Sequence, residues 1–239
     1  MITRVIPQSA IRNPHSEVPL QAIIFDMDGV LLDSEPLHLI AMQRVLAAAG
    51  QRLDEAEYRD YIGDTVEGAW RLICVRRRLP DPPPVYMARY DAAVVAVLDE
   101  AAVPMPGLLP LLADLRAAGL RLGVGSTSPG HWIAASLAAI GATAYFGATV
   151  GGDQVAHPKP APDTFLRAAA LLKVPPAACA VIEDSARGLA AARASGMFAV
   201  ALQVPGALTH SPIPPAAADL SVPSLAAFHA WWQAQAVPP

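Results

Sequence analysis

Two carboxylates lie two residues apart at the end of an apolar run near the N-terminus. The run is QAIIF at 21–25, and the segment Asp26-Met27-Asp28-Gly29-Val30 follows it directly. A run of this length predicts a buried strand, and both carboxylates can converge on one hard cation where the chain leaves the sheet. Mg²⁺ prefers such oxygen ligands, and a carboxylate beside it stays ionised and can act as a nucleophile. Taken alone, the two acids could equally cap the next element.

Three further polar groups occur later in the chain. Ser126-Thr127-Ser128 offers hydroxyl and backbone N–H groups before a predicted helix, which suits phosphate oxygens but is also typical of a helix N-cap. Lys159 lies between two prolines, which stiffen its loop. Glu183-Asp184-Ser185 ends another apolar run, where two adjacent acids have few packing roles and can supply metal ligands. We therefore expect a site that binds a divalent cation and a phosphate group.

The segments that must position these residues alternate between strand and helix after Pro106. Apolar runs predict strands at 120–125, 146–150, 179–182 and 198–202, and helical periodicity predicts helices at 108–118, 131–140, 163–172 and 186–194. Such alternation predicts an α/β fold, a doubly wound parallel sheet with helices on both faces. The carboxyl ends of its strands share one edge, where ligands bind, and we expect the polar groups to meet there.

A long stretch without strand signals separates the first strand from the others. We predict an N-terminal tail at 1–19, a core formed by 20–33 and 106–239, and an inserted α-helical segment at 34–105. Because the insertion begins beside the acidic pair, it is placed to act as a cap. Near the C-terminus, Trp231 and Trp232 are expected to anchor a last helix onto the core.

The composition limits the classes of partner. Of the 239 residues, 54% are hydrophobic and 16% are charged, and the formal net charge of −4 argues against a nucleic-acid partner. No apolar run reaches the roughly 20 residues of a membrane span, and no basic stretch followed by an apolar segment indicates a secretory signal. We expect a cytoplasmic protein, monomeric or homodimeric, that acts on a small molecule away from membranes.

Four motifs, in their order along the chain, resemble those of the haloacid dehalogenase superfamily. The segment 26–35, DMDGVLLDSE, resembles the first motif, Ser126 stands at the second and Lys159 at the third. Glu183-Asp184-Ser185 with Gly188 resembles the fourth motif, E-D-S-x-x-G. The resemblance extends over about 20–202 and implies a Rossmann-like core. The helical insertion and the segment 157–163, HPKPAPD, are similar to the β-phosphoglucomutase-like subgroup, which carries a C1 helical cap.

The resemblance implies a mechanism through an aspartyl-phosphate. Asp26 would attack the phosphorus, and Asp28 would protonate the leaving oxygen and later deprotonate the attacking water. Mg²⁺ would be bound by four residues: the Asp26 carboxylate, the Asp28 carbonyl oxygen, Asp184 and, directly or through water, Glu183. The phosphoryl oxygens would be neutralised by three groups: Ser126, the Thr127 backbone N–H and Lys159.

The implied activity is that of a magnesium-dependent phosphatase, a phosphoric monoester hydrolase acting on a small metabolite such as a sugar or polyol phosphate. The alternative is a phosphosugar mutase of the β-phosphoglucomutase type. In that mutase, an arginine of the cap binds the second phosphate of the substrate. When the segment 61–66 is aligned by Gly63, Val66 stands where the mutase has this arginine. A neutral valine cannot make the charged contact. Arg71 and Arg89 remain as substitutes, and His38 aligns with a mutase histidine that helps to gate the acid–base Asp.

Three other classes are disfavoured. Dehalogenation within the superfamily needs no metal, and its pattern lacks a second Asp, whereas Asp28 and Asp184 are present here. A response-regulator receiver carries its acidic pair and its phosphoacceptor on different strands and has no helical insertion of this size. Gly123-Val124-Gly125 resembles part of a dinucleotide-binding loop, but no acid between Asp114 and Asp153 is available to hold a ribose.

Overall fold

The computed structural model describes residues 13, 18–205 and 213–235. The predicted tail at 1–19 therefore lies mostly outside the described residues. Asn13, which falls within it, is buried and donates from Nδ2 to the Ala177 carbonyl oxygen at 3.1 Å. The chain divides into two compact units, with divisions between Asp33 and Ser34 and between Ala102 and Val103.

One unit contains a parallel sheet. Its strands are β1 Ala22–Phe25, β2 Arg121–Gly125, β3 Ala148–Val150, β4 Cys179–Glu183, β5 Phe198–Leu202 and β6 Leu220–Val222. Their order is β3-β2-β1-β4-β5-β6, so the chain starts in the middle, winds to one edge and then returns to build the other. This arrangement confirms the predicted doubly wound fold. The order in which strands are added reverses between β1 and β4. In doubly wound sheets, ligands bind at this point, beyond the carboxyl ends of the strands.

The helices of this unit follow the strands along the chain. They are α5 Leu108–Ala117, α6 Gly130–Ala139, α7 Asp163–Leu172, α8 Ala186–Ala194 and α9 Leu225–Gln235. Apolar side chains of the sheet pack against α7 and α8 in a buried cluster that includes Ile24, Val181, Phe165 and Leu189. The central strands β1 and β5 are apolar and fully buried, because helices cover a parallel sheet on both faces.

The other unit is helical. It comprises α1 Glu35–Ala48, α2 Glu55–Tyr58, α3 Val66–Arg77 and α4 Pro83–Ala101. The ring of Trp70 stacks on Tyr86 with 5.8 Å between centroids and lies 5.6 Å from Tyr90, and all three side chains are buried. Aromatic pairs at this spacing stabilise a core beyond their buried area. Across the described ranges of both units, no helix is long and apolar enough to cross a lipid bilayer.

Two features differ from the sequence-based expectation. The second division falls at 102/103 rather than after 105, because Pro104 bridges Leu32 and the Met105 N–H donates to the Leu31 carbonyl oxygen at 2.8 Å. These contacts tie residues 104 and 105 to the unit with the sheet. The second difference is the strand β6, which was not predicted. It has only three residues, too few for a recognisable periodicity of apolar residues.

Ile24 tests the central strand. Ile24 is fully buried in β1, and Ile24→Ala should lower the free energy of unfolding by about 2–5 kcal/mol, since it removes buried methyl groups and leaves a cavity. Leu171→Ala, at a side chain that is 52% exposed on α7, is the matched control and should change it by less than about 0.5 kcal/mol. Urea denaturation measures both, and equal losses would contradict the burial of β1.

Candidate active site

A buried lysine joins the ends of the two central strands. The Lys159 ammonium donates to Asp26 Oδ1 at 2.7 Å and to Glu183 Oε1 at 2.6 Å, and the lysine is only 3% exposed. Asp26 follows β1 and Glu183 ends β4, and the register that sets Phe25 opposite Ile182 brings the two carboxylates side by side. The Nζ atom also lies 4.6 Å from the centre of the Phe165 ring, a favourable cation–π distance.

Glu183 is engaged at both oxygens. Its Oε2 accepts hydrogen bonds from the Ser185 backbone N–H and hydroxyl, each at 2.8 Å, while Oε1 accepts from Lys159. Ser185 also caps α8 by accepting from the Gly188 N–H at 3.0 Å. A Cβ atom on residue 188 would lie 1.7 Å from Glu183 Oε1. Only glycine at 188 leaves room for the Glu183 carboxylate. The fourth motif therefore builds an anchor for Lys159.

A third carboxylate completes an acidic cluster. Oxygen atoms of Asp26, Glu183 and Asp184 lie within 4.8 Å of one another, so the three could hold one metal ion. Asp184 approaches the backbone of Gly29, which has φ +72°, and a Cβ there would lie 2.0 Å from Asp184 Oδ2. Glycine is thus required at 29 both for the left-handed backbone and for the space that Asp184 occupies.

The electrostatics of the cluster favour a bound cation. Burial, together with the Glu183 and Asp28 carboxylates, raises the pKa of Asp26 to about 7 in spite of Lys159. Burial and the Asp26 and Glu183 carboxylates raise the pKa of Asp184 to about 8. Burial alone would lower the pKa of Lys159, but the two carboxylates that it contacts outweigh burial and raise it. Lys159 contacts two of the three acids and can offset only part of their charge when all three are ionised, and a hard divalent ion fits this oxygen donor set.

Asp28 follows Asp26 by two residues, and its carboxylate contacts the loop after β2. Its Oδ2 accepts from the Ser126 hydroxyl at 3.3 Å and from the Ser128 hydroxyl at 2.8 Å. Its Oδ1 is buried and has no hydrogen-bond partner among the described residues. Ser126 is fully buried, whereas Thr127 is exposed in the same loop. The sheet therefore brings Ser126 to the acidic pair, as expected from strands that end at one edge.

Two contacts of this site are not predicted by the motifs. The guanidinium of Arg187 on α8 donates to the Lys159 carbonyl oxygen at 2.8 Å and so holds the backbone that carries the lysine. The Ser128 hydroxyl makes the shorter of the two bonds to Asp28. The run of three hydroxyl residues at 126–128 was the available signal, but spacing alone does not reveal which hydroxyl faces the carboxylate.

The expected substrate residues of the helical unit all have partners within that unit. His38 Nδ1 lies 2.9 Å from the Tyr90 hydroxyl. Two arginines form ion pairs with neighbouring carboxylates, Arg71 with Glu67 at 2.6 Å and Arg89 with Asp81 at 3.1 Å. Val66 begins α3 and is 37% exposed.

Comparisons with known proteins give one consistent result. A family profile described as haloacid dehalogenase-like hydrolase matches residues 20–196. The chain is 38% identical over 182 residues to the fructose-1-phosphate phosphatase YqaB of Escherichia coli strain K12, covering 74% of this chain and 94% of that protein. It is 36% identical over 194 residues to protein CbbY of Rhodobacter capsulatus, covering 76% and 84%. The crystal structure of CbbY from Rhodobacter sphaeroides in complex with phosphate is similar with a TM-score of 0.74 and 31% identity, covering 87% of this chain and 95% of that one.

The raised pKa values of the cluster predict how stability depends on pH when no divalent cation is bound. Because the folded pKa values of Asp26 and Asp184, about 7 and about 8, lie above the ordinary value of 3.8, the folded protein binds more protons than the unfolded chain between these values. The contribution of the cluster to the free energy of unfolding should therefore fall as the pH rises from about 4 to about 8.

Asp184→Asn removes one of these titrating groups and should weaken that pH dependence. Urea denaturation in excess EDTA at about pH 5 and about pH 8 measures it, since stability depends on the difference in bound protons. Asp99→Asn, at an exposed position on α4, is the matched control and should behave as the parent protein. Identical pH dependence in the parent and Asp184→Asn would contradict the raised pKa of Asp184.

Proposed function

The chain belongs to the haloacid dehalogenase-like hydrolase family, and from that premise we propose that it is a magnesium-dependent phosphatase of small phosphorylated metabolites, of the sugar- or polyol-phosphate class. The family and the enzyme class predicted from the sequence motifs are confirmed by the matches. The identity of the metal, the aspartyl-phosphate intermediate and the roles of individual residues are part of the proposal.

The observation that carries the proposal is the way in which Asp26 is held. Lys159 donates to its Oδ1 at 2.7 Å, and no hydrogen bond reaches its Oδ2 from the described residues. Glu183, the other carboxylate on Lys159, has both oxygens engaged. Of the two, only Asp26 therefore keeps an oxygen available to attack phosphorus. This supports Asp26 as the nucleophile of a covalent mechanism.

The metal assignment follows from the same contacts. Mg²⁺, when bound, would neutralise charge on the phosphate and keep Asp26 ionised. We assign it to the Asp26 and Asp184 carboxylates and to the carbonyl oxygen of Asp28, as in the family pattern. Glu183 is occupied by Lys159 and Ser185, so we assign it the role of fixing the lysine, with only an indirect part in metal binding.

The residues then act in two steps. Asp26 attacks the phosphorus and forms an aspartyl-phosphate, while the bond to the leaving oxygen breaks and Asp28 gives that oxygen a proton. In the second step Asp28 takes a proton from water, which attacks the phosphorus and releases phosphate and free Asp26. The transferring oxygens would be neutralised by three groups: Lys159, Ser126 and the Thr127 backbone N–H.

The structure favours hydrolysis over mutase chemistry. A mutase needs a second cationic clamp for the distal phosphate, and Val66 cannot supply one. The two candidate substitutes, Arg71 and Arg89, are each paired with a carboxylate of the helical unit. Without that clamp, we expect the phosphorylated Asp26 to react with water. The phosphatase named above, at 38% identity, supports the same choice.

The partner and location of the protein complete the proposal. We propose a small phosphate ester as its substrate, no nucleic-acid partner in keeping with the net charge of −4, and a monomer or homodimer acting in the cytoplasm.

The proposal predicts phosphate release from a panel of sugar and polyol phosphates in the presence of Mg²⁺ and none in excess EDTA. Asp26→Asn should lower kcat by at least about 10³-fold, since it removes the nucleophile, while far-UV circular dichroism stays unchanged. Asp184→Asn should raise the Mg²⁺ concentration needed for half-maximal activity, and Asp99→Asn, at an exposed aspartate, should not.

Three results would contradict parts of this account. Activity that persists in excess EDTA would exclude the metal assignment, and a clean Asp26→Asn sample that keeps more than a few per cent of the activity would move the nucleophile elsewhere. Isomerisation of a sugar phosphate without release of phosphate would favour the mutase instead.

A further inference from the structure

The Asp28 carboxylate is held by the loop that follows β2. The Ser128 hydroxyl donates to Asp28 Oδ2 at 2.8 Å, and the Ser126 hydroxyl donates to the same oxygen at 3.3 Å. The Ser128 N–H also donates to Ser126 Oγ at 3.0 Å, which links the two hydroxyls. The stronger bond by distance thus comes from Ser128, a residue to which the family resemblance assigns no role.

The backbone on each side of this bond is fixed independently. The Ser128 carbonyl oxygen accepts from the Gly152 N–H at 3.1 Å, which fastens the loop after β2 to the loop after β3. On the other side, the Gly29 N–H donates to the Leu32 carbonyl oxygen at 2.9 Å in the turn that carries Asp28. The hydroxyl and the carboxylate therefore meet because their loops are held in place, and the bond between them sets the rotation of the carboxylate.

The two oxygens of Asp28 are unequal as a result. Oδ2 receives both hydroxyls, whereas Oδ1 is buried and has no hydrogen-bond partner among the described residues. We propose that Ser128 is a positioning residue: its hydroxyl orients the Asp28 carboxylate so that Oδ1 carries the proton that is given to the leaving oxygen. This inference rests on the proposed phosphatase function, in which Asp28 is the general acid.

The proton balance is simple. Asp28 loses the proton on Oδ1 as the bond between phosphorus and the ester oxygen breaks, and that oxygen leaves as an alcohol. The Ser128 hydroxyl keeps its own proton and continues to donate to Oδ2. The contribution of Ser128 should therefore depend on how much the leaving group needs a proton. The leaving oxygen of an alkyl ester is strongly basic and needs the proton, whereas p-nitrophenol is acidic enough to leave as its anion.

The test compares these two kinds of ester in the full chain with Mg²⁺. The value of kcat/KM reports the steps up to departure of the leaving group, so it is measured for an alkyl phosphate that the parent protein hydrolyses and for p-nitrophenyl phosphate. Ser128→Ala should lower kcat/KM about 10- to 100-fold for the alkyl ester, part of the ~10²–10⁴-fold worth of general acid catalysis, and less than about threefold for the aryl ester.

Two further variants separate positioning from folding. Ser128→Thr keeps a hydroxyl and should restore most of the activity on the alkyl ester. Ser221→Ala removes an exposed hydroxyl from β6 and should leave both substrates unaffected. Equal losses on the two esters, an unchanged alkyl rate in Ser128→Ala, or no rescue by threonine would overturn the assignment of Ser128 while leaving the phosphatase function in place. A parent protein that hydrolyses no phosphate ester, so that no alkyl substrate can be chosen, would overturn the proposed function and this inference together.

Discussion

The site depends on the burial of one ammonium group between two carboxylates. Lys159 loses nearly all contact with water, and removing such an ion from water is costly unless it is paired and hydrogen-bonded. Asp26 and Glu183 satisfy it at 2.7 and 2.6 Å. Removing the lysine, or moving it away from its partners, would leave an uncompensated buried charge. The need to keep these three residues in contact therefore constrains every element that positions them.

The constraint reaches outward into the fold. The parallel pairing of β1 with β4 sets Asp26 beside Glu183 at the reversal of strand order. Gly188 leaves room for the glutamate, and Arg187 binds the carbonyl of the lysine at 2.8 Å. One helix, α8, thus contributes both the space and the restraint. The cluster has more acidic than basic groups, since Asp184 adds a third carboxylate to the two that contact Lys159. That excess of negative charge is what a divalent cation would offset, and it connects the architecture to the proposed phosphoryl chemistry.

The sequence predicted the parts of this arrangement that depend on order along the chain. Apolar runs that end on Asp26 and Glu183 indicated strand ends, and parallel strands bring their carboxyl ends to one edge. The contacts that depend on side-chain rotation were not predictable. Nothing in the fourth motif distinguishes a glutamate that binds metal from one whose two oxygens hold Lys159 and Ser185, and nothing in a run of three hydroxyl residues singles out Ser128. The short strand β6 and the tie between Leu32 and Pro104 likewise depend on tertiary pairing with little local signal.

The central claim is that Asp26, fixed by Lys159, forms the covalent intermediate. The most direct measurement is to quench the enzyme during turnover of a phosphate ester, reduce it with borohydride and map the peptides by mass spectrometry, because an acyl phosphate is reduced to an alcohol and free carboxylates are not. The account predicts conversion of residue 26 to homoserine, dependent on substrate and absent without it. Conversion at another carboxylate, or none at Asp26 while phosphate is being released, would contradict it.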